Sequence, residues 1–211
     1  MDDAKHFHAK LIAGRYLREF EQLIEQVDMD ALERIVEILR GVRDRGGTTY
    51  LAGNGGSAAT AAHWANDLGK ATRVSGRALM RVMNMTDNVP WLTALANDEG
   101  YERVFAGQLE NFSRAGDVLV VISASGNSPN LIEAVELAKE RAVSTVAMLG
   151  FDGGALKDMV DEALWLPSSQ GSYGIVETGH SLLCDVVTTC LMEDLADAAD
   201  RPTLDVTHVR A

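Results

Sequence analysis

The sequence predicts an α/β protein in which a parallel sheet is covered by helices on both faces. Short apolar runs alternate with helical patterns from about residue 46 onward, as strand–helix–strand units do. The strands so implied are short and apolar, which suits a sheet buried on both sides. No linker, repeat, low-complexity tract or shift in composition separates the units, so one domain is expected.

The elements follow in order. Phe7, Leu11, Tyr16, Phe20, Leu23 and Val27 recur at three-to-five spacing and predict an amphipathic helix. "DALERIVEILRGV" predicts a second, with Asp30 and Glu33 in a capping-box relation at its start and Gly46 and Gly47 at its end. Strand "TYLAG" precedes a helix over 57–69, and "LMRVMNM" precedes a helical stretch around 90–113. "VLVVIS" leads into a helix over 129–142, and "STVAMLG" into a short one near 153–160. "ALWLP" then leads into a long helix from about 174 to 197. The domain is expected to cover 1–198, with a helical extension over about 1–46. Residues 199–211 lose periodicity and read as a tail, ordered only by a partner subunit.

Composition narrows the function. A chain of 211 residues can bury a full core unaided. The net charge of −12 argues against general affinity for nucleic acid or an anionic membrane, so neither is expected as a partner. It does not argue against a phosphorylated ligand, because a pocket of backbone N–H dipoles is locally positive whatever the total charge. No apolar stretch is expected to span a bilayer, and "MDDAKHFHAKLIAGRY" lacks the ordered regions of a signal peptide. Cys184 and Cys190 fall in an apolar helical pattern and read as buried thiols rather than a disulfide, which suggests a reducing cytoplasm.

Two loops carry the chemistry. "GNGGS" at 53–57 and "SASGNS" at 123–128 each stand between an apolar run and a helix. In a doubly wound sheet, ligands bind beyond the carboxyl ends of the strands, where both loops belong. Glycine lets the backbone turn sharply and approach a ligand. The following helix directs free N–H groups at an anion, and Ser123, Ser125 and Ser128 add hydroxyl donors. A phosphate ester is the natural guest. No lysine follows the glycines and no fingerprint carboxylate is suitably spaced, so no nucleotide is expected.

"GNGGSAATAAHWANDL", "ALANDEGYERVFAGQLE" and "ISASGNSPNLIEA" together resemble the sugar isomerase (SIS) domain, and more closely the phosphoheptose isomerases, also called sedoheptulose 7-phosphate isomerases. The similarity runs from the N-terminal helices to about residue 195. It implies a flavodoxin-like three-layer fold with a five-stranded parallel sheet, and a homotetramer with active sites between subunits. It also implies conversion of sedoheptulose 7-phosphate to a heptose 7-phosphate. On this resemblance Ser123, Ser125 and Ser128 match the phosphate-binding serines, with Ala124 where a threonine is common. Asn54, Gly55, Gly56 and Ser57 match the first loop, which contacts sugar and phosphate, and Asp98 matches an aspartate lining the site.

Aldose–ketose isomerisation needs a base to move a proton between C1 and C2, and a group to stabilise the enediol(ate) between them. In the family, the helix after the first loop supplies a histidine and, four residues on, a glutamate that acts as base. The matching residues are His63 and Asp67, whose spacing puts both on one helix face. Aspartate shortens the reach by one methylene, and about 1 Å of misplacement can cost roughly 100-fold.

The second catalytic element, on the last long helix of the family, matches "VETGHSLLCDVV". Aligning its first histidine on His180 puts Glu177 at the family's glutamine and Asp185 at its catalytic histidine; one register back, Cys184 stands there. In either register that histidine is absent. Some members hold a divalent metal, usually zinc, with these same positions. His63, Asp67, Glu177 and Asp185 offer an N/O set acceptable to zinc or manganese, so a metal-assisted isomerase is expected, with a carboxylate moving the proton. Asp185 stands among Leu182, Leu183, Val186 and Val187, where an unpaired carboxylate is costly, so a partner is expected for it. His180 reads as structural; His6, His8 and His208 belong to no constellation. The rivals are an isomerase of another ketose phosphate and a non-catalytic SIS-domain adaptor. A phosphosugar-sensing regulator would need a basic helix-turn-helix unit, which the sequence lacks.

Overall fold

The computed structural model describes residues 8–195. In chain order the elements are α1 (Ala9–Ile24), α2 (Met29–Asp44), β1 (Thr48–Gly53), α3 (Gly56–Lys70), β2 (Arg81–Asn84) and α4 (Val89–Asp98). A 3-10 turn (Tyr101–Arg103), α5 (Ala106–Phe112), β3 (Val118–Ser123), α6 (Pro129–Glu140), β4 (Ser144–Leu149), α7 (Leu156–Met159), β5 (Glu162–Trp165) and α8 (Tyr173–Leu195) complete it. The expected tail, together with His6 and His208, lies outside the described residues.

All five strands are parallel, in the order β2-β1-β3-β4-β5. This is the flavodoxin-like order, with its switch point between β1 and β3. Strand alternation sends Leu51, Val120, Ile122 and Met148 into one core with α2, α3, α8 and the end of α1. Tyr50, Leu119, Val121 and Leu149 go into the other, under α4, α5, α6 and α7. Each face is thus covered, which is why the strands read as continuous apolar runs.

Local chemistry sets the boundaries, and three expectations are corrected by it. α2 is capped by Asp28, whose carboxylate accepts from the N–H groups of Asp30 and Ala31, both at 3.0 Å. The Asp30–Glu33 box does not form because Met29 is already helical. At the other end Gly46, at φ +72°, closes the helix as expected: its N–H bonds the Arg43 carbonyl, and that of Gly47 bonds the Val42 carbonyl. The stretch expected as one helix over 90–113 is broken at Gly100, whose φ of +104° no helix accepts. α8 is long and apolar enough to cross a membrane by length and composition, against the expectation that no stretch is; half of that window is buried in the protein. There Trp64 Nε1 on α3 donates to Thr188 Oγ1 at 3.0 Å.

α1 is held chiefly by its last turns. Leu23 is buried and Phe20 packs on the core, whereas Leu11 (67% exposed), Tyr16 (40%) and Leu17 (65%) face outward. Cys184 and Cys190 are both free, the first buried, the second half-buried.

Candidate active site

β1 and β3 pair with Gly53 opposite Ile122, so their loops leave the sheet side by side at the switch point. In the first loop Gly55, at φ +55° and ψ −121°, adopts a conformation that side chains disfavour, and α3 starts at the next residue. In the second loop Gly126, at φ +64°, lies directly against the Gly153 carbonyl, and a Cβ there would collide with it. Ser123 Oγ accepts the Gly126 N–H at 3.0 Å, and Ser125 Oγ accepts the Asn127 N–H at 3.3 Å. Each hydroxyl proton remains available to an anion. A cavity of about 160 Å³ opens between the loops, lined by Asn54, Ser57, Ser123, Ala124, Ser125 and Ser128, with Tyr173 and Glu177 from α8. A larger cavity, about 400 Å³, lies at the opposite edge of the sheet beside Arg81, Arg114 and Asp117. Size alone does not select a site: ligands of open α/β sheets bind at the strands' carboxyl ends.

The two loops are also tied to each other. Asn54 Nδ2 donates to Asn130 Oδ1 and Asn130 Nδ2 donates to Asn54 Oδ1, both at 2.9 Å. Tyr101 Oη adds a bond to Asn54 Oδ1 at 3.0 Å.

About two to three turns along α3 from its start at the first loop, His63 Nε2 lies 3.2 Å from Asp67 Oδ2 on the helix's outer face. Asp185 joins them from α8, so that one ligand atom from each of the three lies within 4.8 Å of the others. Asp185 is exposed, which corrects the apolar setting expected for it. α8 turns Leu183, Cys184 and Val187 into the core and leaves Asp185 facing out. The same rotation turns Cys184, the residue of the other register, toward Met148, with Sγ and Sδ 3.7 Å apart. Two carboxylates this close repel, and a cation between them would relieve that. One imidazole and two carboxylates are a donor set suited to zinc or manganese.

Glu177 is not in that cluster. Its carboxylate lies against Gly56, where a Cβ would strike it, and it belongs to the loop cavity. Asp98 is not among the residues lining the cavity; it ends α4, is exposed, and accepts from Asn97 Nδ2 at 2.7 Å. From the motif that contains it, Tyr101 is the residue that reaches the loops. His180 is fully buried, with neither ring nitrogen in a well-formed hydrogen bond. Burial pushes its pKa down to about 4, against a smaller opposing pull from the Leu149 backbone.

Sequence reasoning missed Asn130, Tyr101 and Tyr173. The first two lie inside the quoted motifs, and Tyr173 precedes Glu177 by one helical turn.

Comparison with known proteins gives a consistent picture. The SIS domain family profile matches residues 15–150. A phosphoheptose isomerase of Citrifermentans bemidjiense is 38% identical over 161 residues, covering 74% of this chain and 82% of the relative. One from Helicobacter pylori is 35% identical over 188 residues, covering 88% and 96%. The solved phosphoheptose isomerase of Neisseria gonorrhoeae superposes with a TM-score of 0.79 at 31% identity, covering 87% of this chain and 98% of that one. With a profile match over more than half its length, and relatives this similar along most of theirs, the chain belongs to the SIS domain family.

Proposed function

We propose that this protein is a phosphosugar isomerase that interconverts sedoheptulose 7-phosphate and a heptose 7-phosphate through an enediol(ate). The observation that carries the reading is the cavity of loop amides and serine hydroxyls, with a His63–Asp67 pair on the helix that starts at the first of those loops. The name phosphoheptose isomerase, borne by relatives in sequence and structure, supports it.

The phosphate lies against the N–H groups opening α3 and accepts from the hydroxyls of Ser57, Ser123, Ser125 and Ser128. Asp67 takes the proton from one of C1 and C2 and returns it to the other. His63 orients Asp67 through their contact, and Glu177 hydrogen-bonds the sugar hydroxyls from its place in the cavity. Asp185 is a carboxylate where the family has a histidine, and it offers oxygen lone pairs to a proton or a cation. His63, Asp67 and Asp185 would hold a divalent ion, zinc first, with Glu177 outside that set. When bound, such an ion would polarise the sugar carbonyl.

The outward apolar residues of α1 support a homotetramer built on the N-terminal helices, with each site completed by a neighbouring subunit. The free cysteines support a cytoplasmic protein, and the single sheet packed on both faces supports the expected one domain over 1–198.

The test is turnover of sedoheptulose 7-phosphate by protein purified without added metal, with metal content measured alongside. Loss of activity on chelation and recovery on adding zinc is the expected result; indifference to chelators removes the metal. A wild type that binds phosphosugars but turns none over would favour the adaptor reading, which the missing histidine motivates. A monomer by light scattering at micromolar concentration would contradict the tetramer.

A further inference from the structure

Asn54 matches a substrate-contacting position, yet most of its hydrogen-bonding capacity is already used. A primary amide offers two donor hydrogens and two acceptor lone pairs. Here Oδ1 accepts from both Asn130 Nδ2 and Tyr101 Oη, and Nδ2 gives one hydrogen to Asn130 Oδ1. One N–H is left, on a residue that lines the loop cavity.

Asn130 is only 2% exposed. Buried amides in a structural role generally bond the backbone, as Gln108 does with the Met85 and Val104 carbonyls at 2.9 and 2.7 Å. Asn130 instead commits both ends of its amide to one side chain of the opposite loop. Tyr101 approaches from a third segment, and that segment is itself held: Arg103 bonds Glu110 at 2.7 Å and, on α6, Glu133 at 2.8 Å.

We infer that Asn130 and Tyr101 are positioning residues for the isomerase. They lock the Asn54 amide so that it presents a single N–H, and no acceptor, to the phosphate-bearing end of the substrate. The proposal rests on the phosphosugar reading and deepens it. It joins the first loop, the helix after the second loop and the α4–α5 turn into one clamp across the switch point. A free asparagine could rotate and offer its carbonyl oxygen to the phosphate, which would repel it; the locked one cannot.

The test is a double-mutant cycle read in turnover of sedoheptulose 7-phosphate, with the melting temperature recorded for each variant. Asn130→Ala should lower kcat/KM by roughly 10- to 100-fold, chiefly through KM, because the Asn54 donor lines the anion cavity and not the His63–Asp67 cluster. Tyr101→Phe, which removes one partly exposed hydroxyl and leaves the fold alone, should lower it roughly threefold. In an Asn54→Ala background both changes should have less than about a twofold effect. Should Asn130→Ala not fold, the Tyr101→Phe arm of the cycle decides. Undiminished effects without Asn54, or a loss falling on kcat alone, would overturn the clamp. A wild type with no turnover would sink the isomerase reading separately; the same cycle read in sedoheptulose 7-phosphate affinity would then decide the clamp.

Discussion

The two ends of the sheet use the same residue types in opposite ways. At the N-terminal end, Asp117 is buried and its carboxylate accepts the N–H groups of Thr48 and Arg114, each at 2.8 Å, and the Tyr50 hydroxyl at 3.4 Å. Asp161 likewise accepts the Thr145 N–H at 2.7 Å and its hydroxyl at 3.0 Å. At the C-terminal end the Glu177 carboxylate takes no hydrogen bond from any described residue; further along α3 and α8, that of Asp185 takes none either, and Asp67 has only His63 and Asn66 on its own helix. A carboxylate saturated with backbone donors is a fastener between strands and loops. One left with open lone pairs in a cleft is available to a proton, a cation or a sugar hydroxyl.

Four measurements test that contrast, in descending size of effect. Asp67→Asn should cut turnover of sedoheptulose 7-phosphate by roughly 10²- to 10⁴-fold with little change in melting temperature; a variant retaining most of its activity would remove Asp67 as the base. His180 comes next, a buried base with open nitrogens. Its folded pKa of about 4 lies below the ordinary value of 6.5, so the unfolded chain binds the proton more readily. Its contribution is therefore complete above about pH 6.5 and lost as pH falls toward 4, by about 3 kcal/mol in urea titrations. His180→Leu should flatten that slope. Asp117→Ala should destabilise the fold by about 2 kcal/mol through two unpaired N–H groups, while kcat/KM of the folded enzyme stays near wild type. Smallest, Gly56→Ala should displace the Glu177 carboxylate and lower kcat/KM roughly tenfold; the same change in a Glu177→Ala background should do much less.

Much of the fold was legible because its signals are local. Both small-residue loops and every strand were found, since apolar runs and glycines announce themselves along the chain. The break at Gly100 was missed because an isolated glycine inside a helical pattern does not reveal its φ, and the 3-10 turn that follows it before α5 carries no signal of its own. The site was legible where spacing implies a shared face, as for His63 and Asp67. It was not legible where two helices must be rotated against each other. Asp185 joins the cluster and Glu177 does not, although both lie on α8, because the packing of α8 on α3 decides which turn faces what. Asn130 escaped notice for a related reason: it lies inside a quoted motif, but its partner is 76 residues away, and spacing along the chain does not reveal the pair.

Backbone contact at the second loop has a practical bearing on redesign. Gly126 rests on the Gly153 carbonyl and Gly154 on the Ser125 carbonyl, with Asn127 bonding the Ala155 N–H at 2.9 Å. Main chain meets main chain there, so no rotamer can yield and no longer side chain can be absorbed. Attempts to make the enzyme accept other sugars should leave that half of the pocket untouched and vary Tyr173 and Glu177 instead, whose side chains stand on a helix and can change without moving the mould.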